Sequence, residues 1–310
     1  MALNKNQKLG YIAYISSSVI WGFSFMFTKR ALEHLDGRLF DLLSYRFVIS
    51  SGIMLTLWAF KAIKMDFRGK DLKPLIAMAM LQPVLYFIFE TLGIERVTTS
   101  ETGLILAMFP IVITLFGAIF LKERVTRKHY GFIILSVLGV VLINAMSYVP
   151  GSSTNLGRIF LMIAVLVGST YTMLSRKLSS RFSAEERTFA MMLAGAMVFS
   201  CASFYGHLVN KTASLYLTSL FKPDFAFPVL YLSVGCSLLA FFFMCFSATH
   251  LELSKASVLG NTNTMVAVLA GVIILNEPFY WYHILGGAII LGGVVGATMV
   301  SSSMVSKSGA

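Results

Sequence analysis

Apolar runs long enough to cross a bilayer recur along the whole chain, separated only by short charged or Pro/Gly-containing connections. A hydrocarbon core roughly 30 Å thick takes about 20 helical residues to span. Ten such segments can be marked off, near 11–31, 39–60, 74–95, 101–121, 128–147, 157–176, 187–208, 226–249, 254–275 and 282–302. Charged residues make up only 13% of the chain and mean hydropathy is +0.78, too little polar surface for a soluble globule. The expected fold is all-α and membrane-embedded, with no soluble domain. The longest connection, 209–225, contains LYLTSLF, which suits a short interfacial helix.

The first apolar run follows Lys5 and Lys8 as a secretory signal would, but it has no small-residue cleavage site and ends in Lys29 and Arg30. It reads as a retained helix. Cys201, Cys236 and Cys245 all fall inside predicted helices, where a thiol acts as a small apolar group, so neither a disulfide framework nor a metal site is indicated.

The formal charge of +11 raises the question of nucleic acid, and its placement answers it. With alternate crossing, seventeen Lys and Arg fall on the side of the N-terminus and seven on the other, with Arg46 inside helix 2. Cytoplasmic loops keep the positive excess, so both termini are expected in the cytoplasm and the protein in the cell (plasma or inner) membrane.

Shifting the sequence by 154 residues lays LKERVTRKHYGFIILSVLGVV (121–141) over LNEPFYWYHILGGAIILGGVV (275–295). Glu123 falls on Glu277, His129 on His283 and Gly139 on Gly293; a second match sets FMFTKR over TMLSRK. Each half then holds five helices, 11–146 and 157–302, joined by a linker at 147–156. Five is odd, so the second half enters the membrane upside down. Glu123 and Glu277 sit at helix corners, where a carboxylate suits the unpaired N–H groups of the following helix, near Thr126 or Tyr280.

This arrangement, with WGFSFMFTKRAL in helix 1, the Arg of LLSYRF in helix 2, YFIFETLGIERVTTSETGLILAMFPIVITLFGAIFLKERV across helices 3 and 4, and the NEP turn, resembles the EamA branch of the drug/metabolite transporter superfamily. The resemblance covers nearly the whole chain. It implies ten helices in two antiparallel repeats around a central cavity lined by helices 1, 3, 4, 6, 8 and 9, and secondary transport, in the export direction, of small metabolites. Glu90 departs from the aromatic or small residue usual in that branch.

Inverted-repeat transporters bind substrate near the midplane, where the repeats meet. Polar stripes in otherwise apolar helices mark it: Trp21, Ser24 and Thr28 in helix 1; Gln82, Tyr86 and Glu90 in helix 3; Ser257, Asn261 and Thr264 in helix 9. Tyr171, with Ser169 and Thr172, is a weaker candidate in helix 6, as are Ser233 and Ser237 in helix 8. The plain alternative for each Ser or Thr is an interhelical hydrogen bond of about 0.6 kcal/mol. Trp21 could equally be packing. Glu90 is either half of a buried ion pair with Arg46 or a titrating acid that couples proton movement to transport.

Glycines concentrate in helices 5 and 10, at Gly131, Gly139, Gly286, Gly287, Gly292, Gly293 and Gly296, as in a seam where backbones meet closely. A homodimer through the Gly292–Gly296 spacing is the competing reading, with a monomer favoured. Pro83 and Pro110 interrupt helices 3 and 4 and would let helix ends swing. The expected function is therefore secondary active transport of small organic solutes such as amino acids or amines by alternating access, with protons as the coupling ion to test and no cofactor. A uniporter or channel-like facilitator is the alternative. An embedded enzyme is more remote, since no acid–base pair, activated nucleophile or metal-ligand grouping is visible in the sequence.

Overall fold

The computed structural model describes residues 5–120, 127–146, 153–212, 216, 223–250 and 262–308. These are helical apart from turns and short connections, and no strand occurs among them. The helices are α1 (Lys5–His34), α2 (Leu39–Ala59), α3 (Lys73–Ala79, Met80–Leu85 and Tyr86–Ile94 in succession), α4 (Thr99–Leu106, then Phe109–Phe120) and α5 (Arg127–Met146). The second half gives α6 (Ser153–Leu178), α7 (Ala184–Asn210), α8 (Pro223–Leu230, Tyr231–Ala240 and Phe241–His250 in succession), α9 (described over 262–274, closing in Ala270–Ile274) and α10 (Trp281–Ser308). Among the described residues α1, α2, α3, α6, α7 and α8 are long and apolar enough to cross a bilayer, and shorter apolar stretches lie in α4, α5, α9 and α10. Residues 213–215 and 217–222 of the segment expected to hold an interfacial helix, and Glu123, Ser257 and Asn261, lie outside the described residues.

Several helices outrun their apolar segments for local reasons. At the start of α7, Ser183 Oγ accepts from Glu186 N–H at 3.2 Å while Glu186 Oε2 accepts from Ser183 N–H at 3.0 Å. This reciprocal cap satisfies two unpaired donors and moves the start from the predicted 187 to Ala184. The far end of α7 closes at Lys211, whose φ of +54° breaks the helical path.

The expected proline interruptions take different forms. In α3, Pro83 lies in a π-helical stretch, and Gln82 adopts φ −139°, ψ 118°, so the helix is truly broken there. Pro110 instead falls in the first turn of the second segment of α4, where its missing N–H leaves no bond unmade, and the break comes earlier, at Ala107–Met108. Pro228 lies inside the first segment of α8, a proline that the sequence reading did not single out; it precedes the π-helical stretch Tyr231–Ala240, and the backbone stays helical through Leu230.

Contacts fix the direction of each packed pair. Along α5 and α10, Phe132 meets Gly296 while Ile143 meets Gly286, so the two run antiparallel. Along α2 and α7, Asp41 meets His207 while Phe47 meets Gly195, again antiparallel. Tyr86 with Gly168 and Arg96 with Gly157 give the same sense to α3 and α6, and Ile20 with Gly235 and Phe27 with Phe227 to α1 and α8. By contrast α1 and α9 run parallel, from Gly22 with Val266 to Lys29 with Glu277. Every pairing has the sense that alternate crossing demands.

The same contacts reveal the repeat. α2 packs on its own counterpart α7, α5 on its counterpart α10, and the pair α3·α6 is matched by α8·α1. Matching helices that pair antiparallel are what a second half inverted relative to the first must produce. α3 and α8 are counterparts too, and both carry an internal proline and a π-helical stretch, with the path broken at Gln82 in α3.

At the α5/α10 seam, a Cβ on Gly139 would lie 2.7 Å from Gly286 O, and one on Gly286 would lie 2.5 Å from Ile143. A Cβ on Gly296 would press on Phe132. Gly131 and Gly292 face open space, so the close approach belongs to only part of the glycine set and Gly292 takes no part in it. Inside, Phe47, Met191, Phe199, Phe225 and Phe241 are fully buried, whereas Phe60, Tyr205, Phe204 and Ile273 are exposed on the outside, the distribution expected where lipid replaces water.

Candidate functional site

The broken centre of α3 and the π-helical centre of α8 bring polar groups together. The Tyr86 hydroxyl donates to Glu90 Oε1 at 2.6 Å, one helical turn along α3, and both residues are buried. From α2, Arg46 reaches across to α8, where its Nε donates to Ser237 Oγ at 2.6 Å. Its guanidinium lies over the Phe87 ring, 4.2 Å from the centroid. Phe87 in turn packs edge-on against Phe241, and Phe241 against Trp21. Trp21, Tyr86 and Glu90 thus lie around one interior region shared by α1, α2, α3 and α8.

Arg46 and Glu90 do not form the expected direct ion pair. No ion pair joins them among the described residues, although each lies within electrostatic reach of the other. The reason is geometric. Ser237 and the Phe87 face hold the guanidinium while Tyr86 holds one oxygen of Glu90, so each charge is tethered to its own partner.

Irregular backbone in α8 leaves carbonyls that take donors from neighbouring helices. Trp21 Nε1–H donates to Cys236 O at 3.2 Å and Ser50 Oγ–H to Ser233 O at 2.9 Å, while in the other direction the Tyr231 hydroxyl of α8 donates to Ile20 O of α1 at 2.9 Å. The Trp21 N–H is therefore engaged by protein, and what the residue offers the interior is its ring.

The other predicted residues separate. Ser24 donates to Trp21 O in its own helix at 2.6 Å. Thr264 Oγ1 donates to Gly103 O at 3.0 Å, joining α9 to α4 as an interhelical bond. Thr28 and Gln82 are buried, Gln82 at the break of α3. Tyr171 is buried in α6 beside Ser175 and Cys245, one turn from Gly168, which faces Tyr86. Thr172 bonds back to Gly168 O. Ser237, marked as a weaker candidate, has a direct role as the partner of Arg46.

Two clusters were not legible beforehand. His207 has its Nε2 3.0 Å from Asp41 Oδ2 across the α2/α7 contact, and its Nδ1 lies 2.8 Å from Thr212 Oγ1. Ser203 donates to Asp41 at 2.5 Å and Arg38 pairs with it at 3.1 Å. Ser203 bonds the acid rather than the imidazole, so this is not a nucleophile–base pair. The second cluster surrounds Glu277. Its carboxylate accepts from Thr99 N–H at 2.7 Å and Ser100 N–H at 3.0 Å and pairs with Lys29 at 3.2 Å. The glutamate caps the start of α4 in the other repeat, not the helix that follows it, because the inverted packing sets the end of α9 against the start of α4.

The comparisons with known proteins agree with this architecture. The EamA-like transporter family matches twice, over residues 8–145 and 155–299. Uncharacterized transporter YcxC of Bacillus subtilis is 35% identical over 294 residues, covering 94% of each chain. Uncharacterized transporter YetK of the same species is 25% identical, over 94% of this chain and 87% of its own. An uncharacterized transporter of Archaeoglobus fulgidus is 25% identical over 92% and 96% of the two chains. A solved crystal structure shares the fold with a TM-score of 0.64 and 18% identity, over 95% of this chain and 98% of its own. With both repeats matched and six helices fit to span a bilayer, this multi-pass membrane protein is a member of the EamA-like transporter family.

Proposed function

We propose that the protein is a secondary active transporter that exports small organic metabolites, such as amino acids or amines, by alternating access. The repeats, 11–146 and 157–302 about a linker at 147–156, would rock about a site at the midplane. Trp21, Gln82, Tyr86 and Glu90 form its described centre, and Ser24, Thr28, Tyr171 and Thr264 its margin. Ser257 and Asn261, outside the described residues, complete the proposed set. Glu90 carries the coupling proton. The protein works as a monomer in the cell membrane with both termini cytoplasmic.

The observation that carries this reading is the Tyr86–Glu90 pair beside a broken helix. Glu90 is only 5% exposed and uses one oxygen on Tyr86, and no cation pairs with it among the described residues. A carboxylate in such a place is costly unless it has work to do. An internal proline and a π-helical stretch in each of the counterpart helices α3 and α8 point to the same region.

The test is transport in proteoliposomes with an imposed proton gradient, using a panel of radiolabelled amino acids and amines. Glu90→Gln should abolish gradient-driven accumulation and flatten the pH dependence of flux. Unchanged rate and unchanged pH dependence would sink the coupling role. Downhill flux that ignores the gradient in the parent protein would favour the facilitator instead.

A further inference from the structure

We infer that Arg46 is the anion anchor of this site, so that the transported solute carries a carboxylate or an equivalent small anionic group opposite Arg46. The inference rests on the site proposed above and narrows its substrate class.

Arg46 is 3% exposed, yet its guanidinium makes one hydrogen bond, from Nε to Ser237. Its terminal nitrogens find no acceptor among the described residues, nor are they among the buried nitrogens sealed off without a partner. They therefore keep a little accessible surface inside the protein. A guanidinium is a fork of five donors, and its two outer edges match a carboxylate bidentately. Here the Nε edge is used and the rest of the fork is presented.

The surroundings favour a ligand over a structural partner. The face of the group rests on Phe87, a contact that steadies a cation without using its N–H donors. Ser237 supplies a second constraint, so the fork is held in place before anything binds. Glu90, the nearest acid in the site, spends Oε1 on Tyr86 and does not close on Arg46. A solute anion seated on Arg46 would supply the missing acceptors and the missing countercharge together. Glu90 Oε2, like the Arg46 fork, makes no hydrogen bond among the described residues and is not sealed. A solute with a cationic group beside its anionic one could bridge the two, with Phe87, Phe241 and Trp21 against its apolar part. A plain amine would leave the guanidinium unanswered and set two cations side by side.

The test uses matched triads: each of several amino acids, its carboxamide and its decarboxylated amine, bound to detergent-purified full-length protein and followed by melting temperature and titration calorimetry. A ligand that binds only the folded state raises its melting temperature. The parent protein should be stabilised by acids and bind the matching amides and amines at least about tenfold more weakly, the usual scale for losing a charge-assisted bidentate contact. Arg46→Gln should erase that preference. Arg46→Lys, which keeps the charge and loses the fork, should keep part of it, and Ser237→Ala should weaken acid binding while leaving the chain folded as judged by its unliganded melt. If amides and amines bind as well as the acids, or if folded Arg46→Gln keeps the acid preference, the Arg46 assignment is wrong while the site stands. If no member of any triad binds the parent protein, both the assignment and the site fall.

Discussion

Glu277 lies in the α9–α10 turn of the second repeat and closes the start of α4 in the first, with its two oxygens on the main-chain N–H groups of Thr99 and Ser100 at 2.7 and 3.0 Å. Lys29, at the end of α1, joins the same carboxylate at 3.2 Å. One side chain thus ties three helix ends together on the face opposite the chain termini.

That arrangement makes stability depend on acid. Burial alone would push the Glu277 carboxyl up, but the Thr99 and Ser100 N–H groups and the Lys29 ammonium outweigh it and hold its pKa below the ordinary 4.5. A folded-state pKa below the unfolded one stabilises the fold fully above 4.5, and that contribution is lost as pH falls through the depressed value. Glu277→Gln should therefore lower the melting temperature at neutral pH, by an amount equivalent to about 1–2 kcal/mol for a charge-assisted cap. As pH falls through the depressed pKa the two proteins should converge, because the protonated carboxyl and the amide then offer the same uncharged group. Parallel melting curves at every pH would show that the carboxylate's charge contributes nothing.

The α5/α10 seam gives a contrast within one helix. A Cβ on Gly286 would sit 2.5 Å from Ile143 and 3.0 Å from Gly139 O, whereas one on Gly292 meets nothing within 4 Å. Gly286→Val should separate the helices and cost about 1–3 kcal/mol as overpacking. Gly292→Ala should be neutral or slightly stabilising, since alanine favours the helix. Equal effects in a detergent melting assay would mean that the glycine spacing acts through another contact, such as a second copy of the chain.

Much of this was readable from sequence, and the limits have physical causes. Helix positions followed from apolar length because a bilayer fixes that length, and the inversion followed from an odd helix count. Tyr86 and Glu90 were found by their four-residue spacing, since the helix sets that contact by itself. Arg46–Ser237 and Asp41–His207 were not, because each joins residues more than a hundred positions apart through crossing angles that no local pattern encodes. The partner of Glu277 was misplaced for the same reason: a cap can be supplied from another repeat. The start of α7 could have been read, since Ser183 with Glu186 three residues on is a capping signature.

Asp41 and His207 fasten α2 to α7 with side chains only 5% and 6% exposed. Asp41 also serves Ser203 and Arg38, so its loss strands three partners at once. Asp41→Ala is expected to cost about 3–5 kcal/mol, the scale for breaking a buried pair from one side. His207→Gln, which keeps a donor near the acid, should cost less. If Asp41→Ala melts within about 0.5 kcal/mol of the parent, as a typical surface change would, the cluster is not what joins these helices.

The inversion itself can be checked from outside the membrane. The antiparallel pairs α2·α7 and α3·α6 and the parallel pair α1·α9 place His34 and Asn210 at one face, and Arg68 and Ser180 at the other. In a background with Cys201, Cys236 and Cys245 replaced by alanine, the single substitutions His34→Cys, Asn210→Cys, Arg68→Cys and Ser180→Cys each put a thiol at a helix end or in a connection between helices. Because the positive excess lies with the face of Arg68 and Ser180, that face should be cytoplasmic. A membrane-impermeant maleimide applied to intact cells should then mark positions 34 and 210 and reach 68 and 180 only after permeabilisation. The reverse pattern would flip the orientation and keep the architecture. Labelling of 34 together with 180 from one side would break the correspondence between the halves, and with it the case for a site between inverted repeats.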